Sequence, residues 1–144
     1  MPRIVVGVDG SDESKEALRW ALEEADLRDA SLRVVYAWSD PYVFTPGYGL
    51  PEDFEFDALR EKAVERLDAV IAEVVGATND AKIEGVVTEG PAGSALVRAA
   101  EGADLLVVGS RGHGGFVGLL LGSVSQQCVT HAPCPVLVVR GKSD

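Results

Sequence analysis

The sequence has few of the residues that form disulfide scaffolds, metal sites and nucleic-acid surfaces. Its 144 residues include two cysteines, two histidines and 13 bases against 23 acids, which gives a net charge of −10. Two cysteines indicate no disulfide framework. The acidic balance disfavours nucleic-acid backbones and anionic membranes, because both attract basic surfaces. We therefore expect neither nucleic acid nor a membrane as a partner.

The sequence also lacks long apolar runs. No run approaches the length of a membrane-spanning helix, and the apolar segment after Arg3 is too short for the core of a secretory signal. A length of 144 residues with 47% apolar side chains is typical of one globular domain, here residues 1–144. We expect the protein to act in the cytoplasm.

The few cysteines and histidines do not form a convincing metal or catalytic set. Cys128, His131 and Cys134 are spaced by three residues, but a structural zinc site uses four ligands, and Cys134 lies between two prolines. We interpret both cysteines as small buried apolar residues. The G-x-S-x-G elbow of acyl hydrolases is absent, and no Ser/His/acid set is evident.

Short apolar runs alternate with helical patterns along the chain, which predicts a doubly wound α/β fold. Because the strand segments are near-continuous runs of Val, Ile and Leu, they indicate a five-stranded parallel sheet with helices on both faces. Ser11 or Asp12 is expected to cap the first helix. The predicted strands are residues 4–8, 32–37, 83–88, 105–108 and 135–139. The first two helices are marked by apolar repeats over residues 17–25 and 59–74, and the other two are residues 92–100 and 123–131.

Ligands of such sheets bind at the carboxyl ends of the strands, where the strand order reverses. Residues 7–11, 37–39 and 109–125 should converge at that edge. Asp9 is the carboxylate expected there, which makes it a candidate Mg²⁺ ligand, directly or through water. A turn-forming or helix-capping role for Asp9 is an equally weighted alternative.

The glycine-rich segment after the fourth strand predicts a phosphate-binding loop. Gly109 and Gly112 are followed, after nine intervening residues, by Gly122-Ser123 at a helix start. Glycines let an anion approach the backbone, and a helix start offers unpaired N–H groups. The lysine of a Walker loop is missing, and Val117 stands where a third dinucleotide-motif glycine should be. A flexible surface loop is the alternative interpretation.

Three segments together resemble the universal stress protein family, in its ATP-binding branch. They are Val8-Asp9-Gly10-Ser11, Gly109-x2-Gly112-x9-Gly122-Ser123, and residues 131–139. The resemblance covers the whole chain and implies a Rossmann-like, adenine nucleotide alpha hydrolase-like fold. It also implies a cytoplasmic ATP-binding protein that acts in stress response or growth arrest, usually as a homodimer paired through the last strand, Pro135 to Val139.

The resemblance also implies a set of nucleotide contacts. The backbone of the first-strand end would lie beside the ribose and phosphates, Ala37 beside the adenine, and the glycine motif along the ribose and phosphate chain. Position and charge add Arg111 and His113 as phosphate contacts, with solvated loop residues as the alternative interpretation of both. The predicted binding residues are Gly7, Val8, Asp9, Ala37, Val108, Gly109, Arg111, Gly112, Gly122, Ser123, Val124 and Ser125.

ATP with Mg²⁺ is the predicted ligand, and cyclic AMP is the alternative, because the family includes members that prefer it. We expect a binding module rather than an enzyme, since no carboxylate besides Asp9 is evidently placed to orient a nucleophile. Slow ATP hydrolysis or self-phosphorylation is compatible with this, and a slow ATPase whose turnover is the function is the other alternative. The aromatic stretch 38–56 is a candidate lid over the adenine or dimer support, or a surface loop.

Overall fold

The sheet forms around apolar central strands that are buried between helices on both faces. A computed structural model describes residues 2–38, 56–76, 82–110 and 121–141. All four strand pairings in it are parallel, and the strand order is β3-β2-β1-β4-β5. The predicted five-stranded parallel sheet is therefore confirmed. The strands are β1 (Arg3–Val8), β2 (Ser31–Trp38), β3 (Ile83–Glu89), β4 (Leu105–Gly109) and β5 (Val136–Val139).

Helices connect the successive strands and cover both faces of the sheet, as the apolar periodicity predicts. They are α1 (Asp12–Arg28), α2 (Phe56–Val75), α3 (Ala92–Ala99) and α4 (Ser123–His131). The second helix begins three residues earlier than its apolar pattern. Trp38 and Phe56 thus belong to β2 and α2, and the rest of the aromatic stretch lies outside the described residues. Within the described part of the chain, no helix has the length and apolar content of a membrane span.

Two hydrophobic clusters hold the layers together, because successive strand residues point to opposite faces. Ile4 and Val6 of β1 pack with Leu18 of α1 and Leu67 of α2 on one face. The other face packs Val5, Leu96 of α3 and Cys128 of α4 into a second cluster.

Cys128 is fully buried, which confirms its interpretation as a core residue. Burial raises the pKa of its thiol to about 11. The thiol is therefore neutral at physiological pH and is a poor nucleophile, since the thiolate is the reactive form.

The first helix starts as the sequence predicts. The Ser11 hydroxyl accepts the backbone N–H of Ser14 at 3.2 Å and so caps α1. One residue earlier, Gly10 has a φ of 86°, a left-handed conformation that favours glycine. The chain can therefore turn from β1 into α1 within three residues.

Gly7 of β1 packs closely against Leu96 of α3. A Cβ added there would lie 2.6 Å from Leu96 Cδ1 and 2.9 Å from Leu96 Cδ2. Leu96 is itself buried, so it has little room to move. The absence of a side chain at residue 7 is thus a packing requirement of the core.

We predict that Gly7→Ala lowers the free energy of unfolding by about 1–3 kcal/mol, because the added methyl overpacks the contact with Leu96. Urea unfolding of the variant would measure this. Adding Leu96→Val should make the two changes less than additive, since the shorter side chain makes room for the methyl. An unchanged unfolding midpoint for Gly7→Ala would show that the helix shifts freely.

Candidate functional site

The carboxyl ends of β1, β2 and β4 form one edge of the sheet, where the strand order reverses at β1. Val8 pairs with Tyr36 of β2, and Val6 with Val107 of β4. The side chains of Val8 and Val108 are buried in the core, with 5% and 3% of their surface exposed. A ligand at this edge could therefore contact these two residues mainly through their backbone.

Asp9 shapes the turn between β1 and α1. Its Oδ1 accepts the Ser11 N–H at 2.9 Å, and the Ser11 hydroxyl donates to the same oxygen. The Asp9 N–H in turn donates to the Ser14 hydroxyl at 3.2 Å. The turn-forming role weighed for Asp9 is therefore present in the structure, whereas its role as a Mg²⁺ ligand stays a prediction. Among the described residues, no three His, Cys, Asp or Glu side chains are grouped to hold a metal.

A cavity of about 360 Å³ opens beside Asp9 and Gly10, between α1 and α2. An ion pair of 3.0 Å between Lys15 Nζ and Glu73 Oε2 joins the two helices there. Ala37 follows Tyr36, a wall residue, so the cavity adjoins the strand end predicted for adenine. The wall residues on α2 were not predicted from sequence, because only folding brings α2 beside Asp9. Besides Asp9 and Gly10, the wall consists of Lys15, Tyr36, Arg66, Ala69, Val70 and Glu73.

The glycine motif is closed at its base by one backbone carbonyl. Ser110 follows β4, and its carbonyl accepts the Gly122 N–H at 2.6 Å and the Ser125 hydroxyl at 2.8 Å. The two ends of the intervening segment are thus held against each other. Arg111, Gly112 and His113 lie outside the described residues, so their predicted ligand contacts stay predictions.

The N-terminus of α4 is left without a side-chain cap. Gly122 occupies the cap position and, among the described residues, no side-chain hydrogen bond caps the helix there. The first N–H groups of a helix have no partner within the helix and carry its positive dipole end. Ser123 is exposed at this first turn.

The other predicted residues of this turn are held by the protein. Val124 packs against the core cluster beneath α3 and α4. Ser125 is only 2% exposed, and its hydroxyl lies 2.8 Å from the Ser110 oxygen and 3.1 Å from the Gly122 oxygen. In this structure the Ser125 hydroxyl satisfies backbone carbonyls, so any phosphate contact would come from its backbone.

Glu13 is a residue of this edge that the sequence analysis missed. The Ser110 hydroxyl donates to its Oε2 at 3.1 Å. A Cβ on Gly109 would lie 3.3 Å from the Glu13 backbone, so glycine at 109 lets α1 approach β4 closely. The hydrogen bond between Ser110 and Glu13 joins residues 97 apart in sequence, so no local pattern predicts it. A glutamate in the first turn of a helix is usually explained by the helix dipole alone.

Comparison with known proteins gives relatives over the full chain. Residues 1–140 match the Universal stress protein family. A universal stress protein of Thermus aquaticus, encoded in the 3′ region of a QAH/OAS sulfhydrylase, is 40% identical over 139 residues, which is 95% of this chain and 97% of that protein. Universal stress protein Rv2624c of Mycobacterium tuberculosis is 35% identical over 145 residues, and this chain spans 50% of its length.

Solved structures agree with these relatives. A universal stress protein in complex with cAMP is 30% identical, with a TM-score of 0.61 over 96% of this chain and 95% of the other. Protein MJ0577 is 23% identical and has a TM-score of 0.79 over 99% and 98% of the two chains, which supports the fold. On the full-length family match and the 40% identity to the Thermus protein, this chain belongs to the universal stress protein family.

Proposed function

We propose that the protein is an ATP-binding regulatory module that acts in the cytoplasm during stress or growth arrest. The observation that carries the proposal is the uncapped start of α4, directly beside the closed base of the glycine motif. Such a helix end attracts phosphate through its N–H groups and its dipole. The related structure with cAMP supports an adenine nucleotide as the ligand class.

The nucleotide would lie along the edge from α4 to the end of β2. Its phosphates would face Gly109, Gly112, Gly122 and Ser123, together with the backbone N–H groups of residues 124 and 125. The ribose would adjoin the turn at Asp9, and the adenine would lie near Ala37 and the 360 Å³ cavity. Gly7, Val8 and Val108 would contribute backbone only, since the two valines are buried.

Mg²⁺ is proposed to accompany ATP, with Asp9 as its protein ligand. One carboxylate together with phosphate oxygens and water is the usual set for this ion. Asp9 stands at the strand end nearest the proposed ribose and phosphates, and its Oδ1 already accepts two hydrogen bonds from Ser11. A water-mediated contact with the ion fits this arrangement without breaking the turn.

We predict that the purified protein releases ATP when it is denatured, and that Gly122→Asp protein releases none. Aspartate is a good helix cap, so the helix is retained while a negative charge opposes the phosphates. Chromatography of the denatured supernatant identifies the nucleotide. Gly122→Asn is the matched control, because it is of similar size and caps without charge.

Each result of that experiment has a definite meaning. Retention by Gly122→Asn and loss by Gly122→Asp confirm a charge effect at the phosphate end. Cyclic AMP in place of ATP would support the alternative ligand, which the related complex favours. If the wild type carried no nucleotide and bound none with ATP and Mg²⁺ added, the proposal would be wrong.

We predict fewer than about one phosphate released per protein per minute, against ~10 per second for a typical enzyme. Fast hydrolysis needs a general base within reach of the attacking water. Asp9 and Glu13 are carboxylates near the carboxyl ends of the strands, but both are engaged in hydrogen bonds from serines of the protein. A steady-state phosphate-release assay measures the rate, and many turnovers per minute would favour the ATPase alternative.

A homodimer through Pro135 to Val139 is the proposed assembly. β5 is an edge strand, and its partner on the inner side is β4. Leu106 and Ser110 donate to the carbonyls of Pro135 and Val139, so residues 136 and 138 direct their backbone groups outward. An unprotected apolar edge favours pairing with another strand.

We predict that Val138→Pro yields a monomer, because it removes an outward N–H while leaving the inner pairing with β4 in place. Val138→Ala is the control, since it loses similar side-chain packing but keeps the N–H. Light scattering coupled to size exclusion gives the mass of each. A dimeric Val138→Pro protein, or a monomeric wild type, would contradict pairing through this edge.

A further inference from the structure

Ser110 joins three parts of the molecule through three of its polar groups. Its N–H donates to the Val139 carbonyl of β5 at 2.8 Å, and its hydroxyl donates to Glu13 of α1 at 3.1 Å. Its carbonyl accepts from Gly122 and Ser125 at the start of α4. Ser110 is only 2% exposed, so these hydrogen bonds link the base of the glycine motif to both α1 and β5 inside the protein.

The Glu13 side chain fills the space between the ends of β4 and β5. A Cβ on Gly141, two residues beyond β5, would lie 2.6 Å from Glu13 Cγ and 2.9 Å from Oε1. A Cβ on Gly109 would lie 3.3 Å from Glu13 Cβ. The aliphatic part of Glu13 therefore packs between two glycines, while Oε2 holds the Ser110 hydroxyl.

We propose that Glu13 is a positioning residue that couples the base of the nucleotide loop to the C-terminal end of β5. The proposal rests on the proposed function, since it adds a regulation of the same site. Glu13 does not touch the nucleotide; it fixes Ser110 and contacts the chain at Gly141. Binding of a nucleotide thereby changes the stability of the edge strand β5, through which the dimer is proposed.

The physical basis is a charge-assisted hydrogen bond in a half-buried position. Hydrogen bonds to a carboxylate are stronger than neutral ones, and loss of the acceptor leaves the buried Ser110 hydroxyl without this partner. Removing the Glu13 side chain also empties the space between Gly109 and Gly141. Both losses loosen the same junction, so the loop base and the β5 end should respond together.

Hydrogen exchange followed by mass spectrometry tests the coupling. In Glu13→Ala protein without nucleotide, we expect roughly tenfold faster exchange both in residues 121–127 and in residues 136–141. Glu16→Ala is the matched control, because Glu16 lies on the same helix and pairs with Arg19 at the surface. The control should leave exchange in both segments unchanged.

Glutamine at position 13 separates positioning from general destabilisation. Its amide oxygen still accepts from Ser110 and its stem fills the same space, so Glu13→Gln should restore slow exchange in both segments. Faster exchange across the whole of Glu13→Ala protein, β2 included, would indicate mere loss of stability and overturn the proposal. A change confined to one of the two segments would overturn it as well.

Added ATP then tests the link to the ligand. In wild-type protein ATP should slow exchange in both segments, whereas in Glu13→Ala protein it should slow exchange in residues 136–141 much less than in the wild type, because only the Ser110 N–H bond to Val139 then joins the two. If ATP slowed exchange at β5 equally in the variant, Glu13 would not be the coupling residue. If the wild type bound no nucleotide, the proposed function would fail, and the nucleotide-free comparison would still decide whether Glu13 joins the two segments.

Discussion

The burial of β1 between two parallel neighbours and under helices on both faces is the constraint on which the structure depends. Ile4, Val5 and Val6 are completely buried, so their strand can accept neither a larger neighbour nor a change of register. Because β2 and β4 both pair with β1, successive strands are added first on one side of β1 and then on the other. The open crevice that results at the carboxyl end is a product of core packing.

Packing also accounts for glycines that a sequence motif assigns to ligand binding. Gly7 is required by Leu96, and Gly109 by the backbone of α1 at Glu13. The same glycines thus let a helix pack close to a strand and leave the strand backbone open to a ligand. Substitution at either position would disturb the core first, so loss of binding alone at these sites is weak evidence for direct contact.

The fold was predictable because its signals are local. Buried parallel strands are near-continuous apolar runs. Ser11 is a good helix cap, because its hydroxyl accepts the N–H of Ser14 three residues later. Glu13 and the Ser125 hydroxyl were not predictable in the same way. Each meets a partner distant in sequence, 97 and 15 residues away, through contacts at Ser110 that only the folded sheet creates.

Ser125 shows why residue type alone was insufficient. A hydroxyl in the first turn of a helix suggests a ligand donor, but the buried Ser125 hydroxyl instead donates to the Ser110 carbonyl of its own protein. The sequence predicted which residues lie at the carboxyl edge of the sheet. It did not predict which of their polar groups bond to the protein itself and which are left for a ligand. The proposed nucleotide rests on the family and on the start of α4, its metal ion on Asp9, and the dimer on the edge strand β5.

The closure of residues 110 and 122 on each other has an evolutionary consequence. Since both ends of the intervening stretch are fixed by Ser110, its entropy of closure is already offset by the sheet and by α4. Changes of sequence between these ends need not alter the register of any strand. Descendants of one ancestral chain could therefore diversify what they recognise at this edge while inheriting an unchanged scaffold.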